Sequence, residues 1–442
     1  MKEVTIIGAG IAGMTAAMHL IEAGIKTTII DNTNNIGGRC FSFYDKNINL
    51  ELDNGQHVCA GIYNNFFQLI SWLNSQDKFD FNNNINIEFR DRNSKIYKLD
   101  CSTSSSKFGV FKGIINLKSL SPYDKFNILK IIKTKNIYYN NDISVLELLK
   151  QKNQSSNSIK YFWEPIVLAT LNTTLENSSA FLFLVVLNKF IFGSSNERNL
   201  IFFNSSFKDV FKNFTKKIYS TNNKILLGHR VKKVLTQNNK CYGIELNNGK
   251  IINSDFVIAS IPPEEIFLLT ENNTIVKNNF NYSAIISLYL LFDGIIMDNK
   301  FFCGIDTTIQ WVFNKKIINN KQQLIAITIS ASNKLLNLSN KELIQLIIND
   351  INIILPNSKG INISYYRILR DKKATILINK NNNKLRNNTR TDIANFFLAG
   401  AWTNTELPVT IESAAKSGKL AAKEVLFEIN ENNSQKFFDK NT

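Results

Sequence analysis

Val4-Thr5-Ile6-Ile7-Gly8-Ala9-Gly10-Ile11-Ala12-Gly13, then a small and apolar run from Met14 to Ala23, then Thr27-Thr28-Ile29-Ile30-Asp31, is the stretch on which the fold turns. Val4 to Ile7 is apolar and β-branched, the signature of a buried strand, and Thr27 to Ile30 reads the same way. Met14 to Ala23 predicts the helix between them. Gly8 allows a tight turn, Gly10 lets backbone N–H groups approach a pyrophosphate, and Gly13 lets helix and strand pack closely. The N–H groups at the helix head, around Ile11 and Ala12, carry a partial positive charge suited to phosphate. Asp31, at the end of the second strand, can accept from ribose hydroxyls and would repel a phosphate on that ribose. Strand, turn, helix, strand and acid in this order predict a doubly wound α/β domain that binds a dinucleotide.

Gly37-Gly38-Arg39 follows the acid, where a second close approach to the dinucleotide would lie. A surface turn with a solvated arginine is the alternative. An N-terminal fingerprint followed by Gly-Gly-Arg resembles the flavin-containing amine oxidase and phytoene desaturase superfamily, which implies FAD with the arginine along its pyrophosphate.

The length of 442 residues allows two or three domains and a substantial core. The formal charge of +16 is spread over a chain rich in Lys, Asn and Ile even in loops such as Asn82-Asn83-Asn84, which points to base composition as its main source. No basic stripe interleaved with aromatics is present, so nucleic acid is not expected as a partner, whereas an anionic membrane surface is compatible with the charge. Cys40, Cys59, Cys101, Cys241 and Cys303 form no CxxC pair, which suits a reducing compartment. Three histidines, His19, His57 and His229, are too scattered to predict a metal site. A first strand at Val4 leaves no room for a signal peptide, and no apolar run approaches the roughly 18 residues of a spanning helix. A cytoplasmic protein, peripheral to the inner membrane, is expected.

Farther along, Phe41 to Phe43 and Leu50 to Leu52 predict a hairpin, and Asp53-Asn54-Gly55-Gln56-His57 leads into a helix near Ile62 to Leu73. Strands are expected around Ile85 to Arg90 and Lys95 to Leu99, then helices from Pro122 to Phe192, with a capping box at Ser144 and Glu147. Trp163-Glu164-Pro165 is expected to interrupt a helix. Phe181 to Leu187 is apolar on every face, so it is either buried or faces something greasy. Strands return at Lys232 to Thr236, Tyr242 to Leu246, Lys250 to Asn253 and Asp255 to Ser260. Ile285 to Leu291, Leu324 to Ile329 and Ile363 to Leu369, with a helix at Lys341 to Ile354, predict a mostly antiparallel second domain. The fold class is therefore α/β: a discontinuous Rossmann-like FAD-binding domain (1–75, 200–268, 390–428), an α+β substrate domain with a helical cap (76–199, 269–389), and a frayed tail (429–442).

The second informative stretch is Leu398-Ala399-Gly400-Ala401-Trp402-Thr403, then Leu407-Pro408-Val409-Thr410-Ile411-Glu412. It reads as a buried strand, a glycine exit, a loop and a small-residue helix from Thr410 through Ala422. The helix head suits the side of a flavin ring that becomes negative on reduction; simple packing on the sheet is the alternative. Together with Asp53-Asn54-Gly55-Gln56-His57 and Trp163-Glu164-Pro165, these segments resemble the squalene-associated FAD-dependent desaturases, understood as hydroxysqualene dehydroxylases of hopanoid biosynthesis. The resemblance runs from residue 4 to about 420. It departs at Ala401, where the family usually has aspartate near the ribityl and pyrophosphate.

The resemblance implies reduction of hydroxysqualene to squalene: an allylic hydroxyl leaves as water, and the carbon takes a hydride from reduced flavin. The cofactor contacts it implies are Gly8, Gly10, Ile11, Ala12, Gly13, Asp31, Gly37, Gly38, Arg39, Gly55, Gln56, Val231, Gly400, Trp402, Thr410, Ile411 and Glu412. Trp402 is expected against the flavin edge. A general acid is required; His57 and Glu164 are the candidates, against structural roles as a hydrogen-bonding histidine and a capping or ion-paired glutamate. The aromatic helices from Trp163 to Phe192 would line a tunnel for a C30 chain. Residues around 160–217, with Lys189, Lys208, Lys212, Lys216 and Lys217, would form its membrane-facing mouth, with hand-over from a prenyl synthase possible. A carotenoid-type desaturase, an amine oxidase and a non-catalytic flavin-binding assembly factor are the alternatives.

Overall fold

The computed structural model describes residues 2–81, 85–101, 107–132, 134, 141–194, 196–270 and 280–438. Val4 to Ile7 and Thr27 to Ile30 form the centre of a five-stranded parallel sheet. Its order is Lys224–Leu226, Lys26–Ile30, Glu3–Ile7, Phe256–Ala259, Phe396–Leu398. Ile6 stands in register with Ile29 on one side and Ile258 on the other. Such strands are covered on both faces, which is why they read as unbroken apolar runs. The helix Ile11–Glu22 covers one face, and Ile411–Phe438 lies across that helix. The two helices touch through small residues: a Cβ at Gly418 would collide with the carbonyl oxygen of Ala12. The last helix outruns the end expected near Ala422 and continues through most of the expected tail, to Phe438. Residues 439–442 and the Asn82–Asn84 loop lie outside the described residues.

A three-stranded meander, Val231–Gln237, Lys240–Leu246 and Ile251–Asn253, follows the edge strand. The second large sheet has seven strands, in the order Ile363–Ile376, Tyr282–Phe292, Gln322–Ile329, Trp311–Ile318, Phe301–Ile305, Asn86–Asp91, Ile96–Asp100. Its ladders are antiparallel except between Phe301–Ile305 and Asn86–Asp91. The two strands within 301–318 carry no sequence expectation. On one face Ile286, Leu288, Leu290, Ile325 and Ile327 bury against Leu343, Ile347 and Ile351 of the helix Asn340–Ile354. The other face turns toward the hairpin Ser42–Asp45 and Leu50–Asp53, where Tyr289, Leu291, Phe313, Leu324 and Ala326 pack on Leu52.

The helical region holds one correction and settles one alternative. The Ser144 capping box forms as expected, with Glu147 N donating to Ser144 Oγ at 3.2 Å and Ser144 N to Glu147 Oε2 at 2.7 Å. Trp163-Glu164-Pro165, however, does not interrupt its helix. Ile159–Trp163 passes through one wide π turn, and Pro165 sits in the first turn of Glu164–Leu171, where its missing N–H costs nothing. Second, of the two alternatives for Phe181–Leu187, buried or facing something greasy, the structure takes the buried one. In the helix Ala180–Phe192, Phe183, Leu184, Leu187 and Ile191 bury in the core around Trp163, while Phe181, Leu182 and Val185 bury in the core that holds Val257 and Leu398. The helix joins two cores, so it is apolar all round. Of the lysines placed beside it by sequence, Lys189 lies in its last turn, whereas Lys208 pairs with Glu51 at 3.2 Å and Lys217 covers Trp72.

Candidate active site

The carboxyl ends of the parallel strands bring the fingerprint glycines, Asp31, Ser260 and Gly400 to one edge, where open α/β sheets bind their ligands. Gly8 has φ +103°, and its N–H donates to Ile30 O at 2.7 Å. Ser260 Oγ donates to Ile7 O and Gly8 O at 2.8 and 2.9 Å, so the neighbouring strand locks the turn. A Cβ at Gly13 would collide with Gly8 O. Gly10 is different: a Cβ there would meet only Gly38 Cα, at 3.8 Å. No side chain caps the helix at Gly10, which leaves the N–H groups of its first turn, including Ile11 and Ala12, to the edge. Gly37 N donates to Ala9 O at 2.9 Å, which seats the Gly37-Gly38-Arg39 loop on the fingerprint turn. Arg39 reaches the other sheet and donates to Ala374 O at 2.9 Å.

Asp31 Oδ2 accepts from Ala9 N at 2.7 Å, and Oδ1 accepts from Thr33 N and Oγ1 at 2.8 Å. His229 N donates to Asp31 O at 2.9 Å, and Val231 begins its strand two residues later, buried. Opposite, Thr410 Oγ1 accepts from Ser413 N at 3.3 Å and caps the last helix. Gly400, at φ +137°, leaves room for the Trp402 indole, which a Cβ would strike.

Two residues from the expected cofactor set are committed elsewhere. Trp402 is buried, and its Nε1 donates to Ile261 O at 3.1 Å, so the indole packs into the sheet core rather than offering an edge. A buried indole N–H needs such a partner, and the carbonyl beyond the adjacent strand supplies it. Glu412 accepts from Asn65 N at 3.1 Å, Asn65 Nδ2 at 2.6 Å and Phe66 N at 3.0 Å. It caps the helix Asn64–Trp72, and burial raises its pKa. The loop bearing Ala401 is held by an arginine the sequence did not single out. Arg386 is buried and donates to Ala401 O and Leu407 O at 2.8 Å and to Trp402 O at 3.2 Å.

The segment Asp53–His57 crosses from this edge to the inner face of the seven-stranded sheet. Tyr289 Oη donates to Asp53 O at 3.0 Å, and Phe207 N donates to Asp53 Oδ1 at 3.1 Å. A Cβ at Gly55 would lie 2.8 Å from Ser287 Oγ, so glycine is what lets the segment touch the sheet. Gln56 Nε2 donates to His57 O at 3.1 Å, while its Oε1 is buried without a partner. His57 Nδ1 lies 3.0 Å from Gly55 O, and its ring stands edge-on to Phe207 at 4.8 Å. Burial lowers the His57 pKa, against the opposing pull of Asp53. The ring is therefore neutral, donating from Nδ1 and leaving Nε2 as an acceptor.

Glu164 is not brought to this segment. It is exposed, on the wall of an open pocket of about 400 Å³ with Arg92, Lys160, Asp306 and Trp311. Partial burial, Glu176 and Asp306 raise its pKa, and Lys160 opposes them. The π turn directs Trp163 inward, to donate to Gln154 Oε1 at 2.7 Å, and leaves Glu164 outside. Lys315 was not anticipated. The strand register passes from Asn314↔Ile325 to Lys316↔Leu324, which makes Lys315 the extra residue of a bulge. Burial lowers its pKa, partly offset by Asp53, and its charge is felt at His57. Bulges re-aim side chains in this way beside active sites. Among the described residues no cluster of His, Cys, Asp or Glu could hold a metal ion.

Residues 11–426 match the family described as flavin containing amine oxidoreductase. The chain is 25% identical to hydroxysqualene dehydroxylase of Sinorhizobium fredii over 443 residues, covering 97% of this chain and 99% of the relative. It is 23% identical to zeta-carotene desaturase of Synechocystis over 479 residues, 96% of this chain and 97% of that one. An oxidoreductase from Methanosarcina mazei shares the fold, with a TM-score of 0.75 at 16% identity over 96% of this chain and 99% of that one. The chain belongs to the flavin-containing amine oxidoreductase family and is an FAD-dependent oxidoreductase.

Proposed function

From that membership we propose that the enzyme reduces hydroxysqualene, or a close isoprenoid alcohol, to the hydrocarbon. The observation that carries this reading is the junction at Asp53–His57. A segment whose Asn54 Nδ2 donates to Arg39 O at 3.5 Å rests, through Tyr289 Oη on Asp53 O, on a sheet face that is apolar at Leu291, Phe313, Leu324 and Ala326, with Lys315 and Asp371 acting on His57 beside it. An insoluble isoprenoid needs such walls, since each buried CH₂ is worth about 0.8 kcal/mol. The hydroxysqualene dehydroxylase relative, alike over nearly its whole length, supports the same substrate class.

Gly8, Gly10, Ile11, Ala12, Gly13, Asp31, Gly37, Gly38, Arg39, Gly55, Gln56, Val231, Gly400, Thr410 and Ile411 would hold FAD. The uncapped helix head and the unpartnered Gln56 Oε1 fit a ligand rich in phosphate and N–H groups. When bound and reduced, FAD supplies a hydride. The chain's own task is the proton: the carbon–oxygen bond breaks, the oxygen takes a proton and leaves as water, and an external two-electron donor restores the reduced cofactor. His57, neutral and donating to Gly55 O, orients the segment. Lys315, the bulge residue whose charge reaches His57 and whose burial lowers its pKa, is assigned the proton. Anaerobic incubation of protein, chemically reduced FAD and hydroxysqualene should yield squalene by mass analysis. Turnover of zeta-carotene with an oxidant, and none of the alcohol, would move the enzyme to the desaturases.

The substrate's insolubility also calls for a membrane contact, and the helices Lys107–Asn116 and Pro122–Ile132 suit one better than 160–217. Ile115, Tyr123 and Phe126 are 55%, 61% and 60% exposed, near Lys112, Lys118, Lys125 and Lys130, and Lys130 lies over the Phe126 ring. Apolar side chains and basic charge together make a reversible anchor on anionic lipid. No described helix is long and apolar enough to cross a membrane. Binding to anionic vesicles that falls in high salt and in Phe126→Ser tests this contact; equal indifference to anionic and neutral vesicles removes it.

A further inference from the structure

The inner face of the seven-stranded sheet carries a pair of facing hydroxyls, one of them without a partner. Ser287 and Thr328 stand directly opposite each other in the antiparallel ladder between Tyr282–Phe292 and Gln322–Ile329, so their side chains share one face. That face is the one turned to the cofactor segment, because Ser287 Oγ is what a Cβ at Gly55 would strike. Thr328 Oγ1 is sealed from solvent and has no hydrogen-bond partner, and Ser287 is buried beside it. Buried hydroxyls are almost always partnered. Packing alone would be served by the same shape without the oxygen, and Leu324 and Ala326, on the same face of this strand, are hydrocarbon. The next residues along the face, Tyr289, Ala326 and Phe313, close it with buried, largely apolar surface.

We propose that Ser287 and Thr328 form the recognition site for the substrate's carbinol oxygen. Two O–H groups about one ladder spacing apart can both donate to a single oxygen placed above them, and the lone pairs of either can take the alcohol proton. As the carbon–oxygen bond lengthens, that oxygen gains negative charge, and two fixed donors stabilise it more than they stabilise the resting alcohol. The pair also discriminates. A hydrocarbon polyene would leave both hydroxyls unpaired, whereas an isoprenoid alcohol satisfies them, and a site built to bond an oxygen rejects the analogue that lacks it. This rests on the reading of the substrate as an isoprenoid alcohol.

The test uses the FAD-loaded full chain with Thr328→Val, Ser287→Ala, the double variant, and Thr328→Ser as the conservative control. Binding of hydroxysqualene and of squalene in detergent micelles is followed by the change in flavin absorbance, and turnover is measured separately. The wild type should prefer the alcohol by tenfold or more. Each hydroxyl removed should weaken alcohol binding by about tenfold and leave squalene binding and flavin content unchanged, while Thr328→Ser keeps the preference. An alcohol preference that survives in the flavin-loaded double variant overturns the assignment even if squalene is made, as does a wild type that binds both alike. Tight, variant-sensitive alcohol binding without any squalene formed keeps the oxygen site and overturns the reaction instead.

Discussion

The cofactor edge and the inner face of the seven-stranded sheet meet at Gly55, and they are built in opposite ways. The edge is made of backbone: Gly8, Gly10, Gly13, Gly37 and Gly38 fall within one short stretch, and their lack of side chains shapes the turn. The inner face is made of side chains on strands far apart in sequence: Ser287, Tyr289, Lys315 and Thr328 become neighbours only when the ladders form. Backbone sites leave motifs, because spacing along the chain is spacing in space. Side-chain sites across a sheet leave only residue types.

The sharpest way to break this contrast lies among the glycines. Gly13→Ala sets a methyl against the Gly8 carbonyl, backbone against backbone, with no soft neighbour to yield. It should cost about 3 kcal/mol or more of stability, toward the upper end for overpacking. Gly10→Ala meets only Gly38 Cα at 3.8 Å, so thermal unfolding of flavin-free protein should be nearly unchanged while FAD affinity collapses. Asp31→Ala should weaken FAD by roughly 1–3 kcal/mol, since it removes an acceptor and frees Ala9 N. If Gly10→Ala keeps wild-type flavin content, or Gly13→Ala melts at the wild-type temperature, the turn has been assigned wrongly.

Within the cofactor edge, Glu412 belongs to the side-chain class. Glu412→Ala strips the acceptor from Asn65 N and Phe66 N at the head of Asn64–Trp72 and should cost about 1–2 kcal/mol, the usual range for a lost cap. Flavin affinity should change less than stability does. The reverse order, seen by calorimetry against a flavin titration, would return Glu412 to the cofactor.

The same division explains what could be read beforehand. The first helix, the two central strands, the hairpin and the Ser144 capping box follow from local pattern and spacing. Phe301–Ile305 and Trp311–Ile318 did not, although they pair with each other and Trp311–Ile318 with Gln322–Ile329; only the parallel pairing of Phe301–Ile305 with Asn86–Asp91 is distant in sequence. Lys315 was illegible because a bulge is a fact about register between two strands. Ser287 left a faint signal, the one aliphatic hydroxyl in the apolar run from Ala284 to Phe292. Phe181–Leu187 shows the limit of periodicity: an all-round apolar helix looks the same whether lipid or a second core covers it.

His57 offers a smaller test, through pH. Its folded pKa lies below the ordinary 6.5, so on acidification the unfolded chain takes up the proton first. Stability from this group is thus full above about 6.5, declines as pH falls through that value, and levels off below the folded pKa. The slope cannot exceed one proton, about 1.4 kcal/mol per pH unit. Denaturant unfolding of wild type and His57→Gln between pH 7.5 and pH 5, on the order of the window set by that pKa, should show a gap that narrows toward acid. A gap that widens toward acid would mean that the folded protein holds the His57 proton more tightly than the unfolded chain does, which would restore it as the proton donor.

The smallest effect is expected at Glu164, where an expected null is informative. Sequence placed this glutamate beside an aromatic and before a proline, a setting that suggests burial and a raised pKa. Its pKa is indeed raised, chiefly by a partial loss of solvent on an outer wall, with Glu176 and Asp306 adding to it. Trp311 stands on the same wall, and the ladders run from Trp311 through Thr328 to Ser287. Trp311 lies one strand spacing, roughly 5 Å, from Thr328 and two from Ser287, and Glu164 is exposed in the pocket beyond it. A proton donor must come within hydrogen-bond reach of the departing oxygen, or one water away. Glu164→Gln should therefore leave turnover within about twofold of wild type, an energy change under about 0.5 kcal/mol. The same assay on Lys315→Met should show a loss of about a hundredfold or more, in the range for removal of a general acid. If the two variants exchange these outcomes, the reacting carbon sits under the helical cap, and the inner face of the sheet is only a wall.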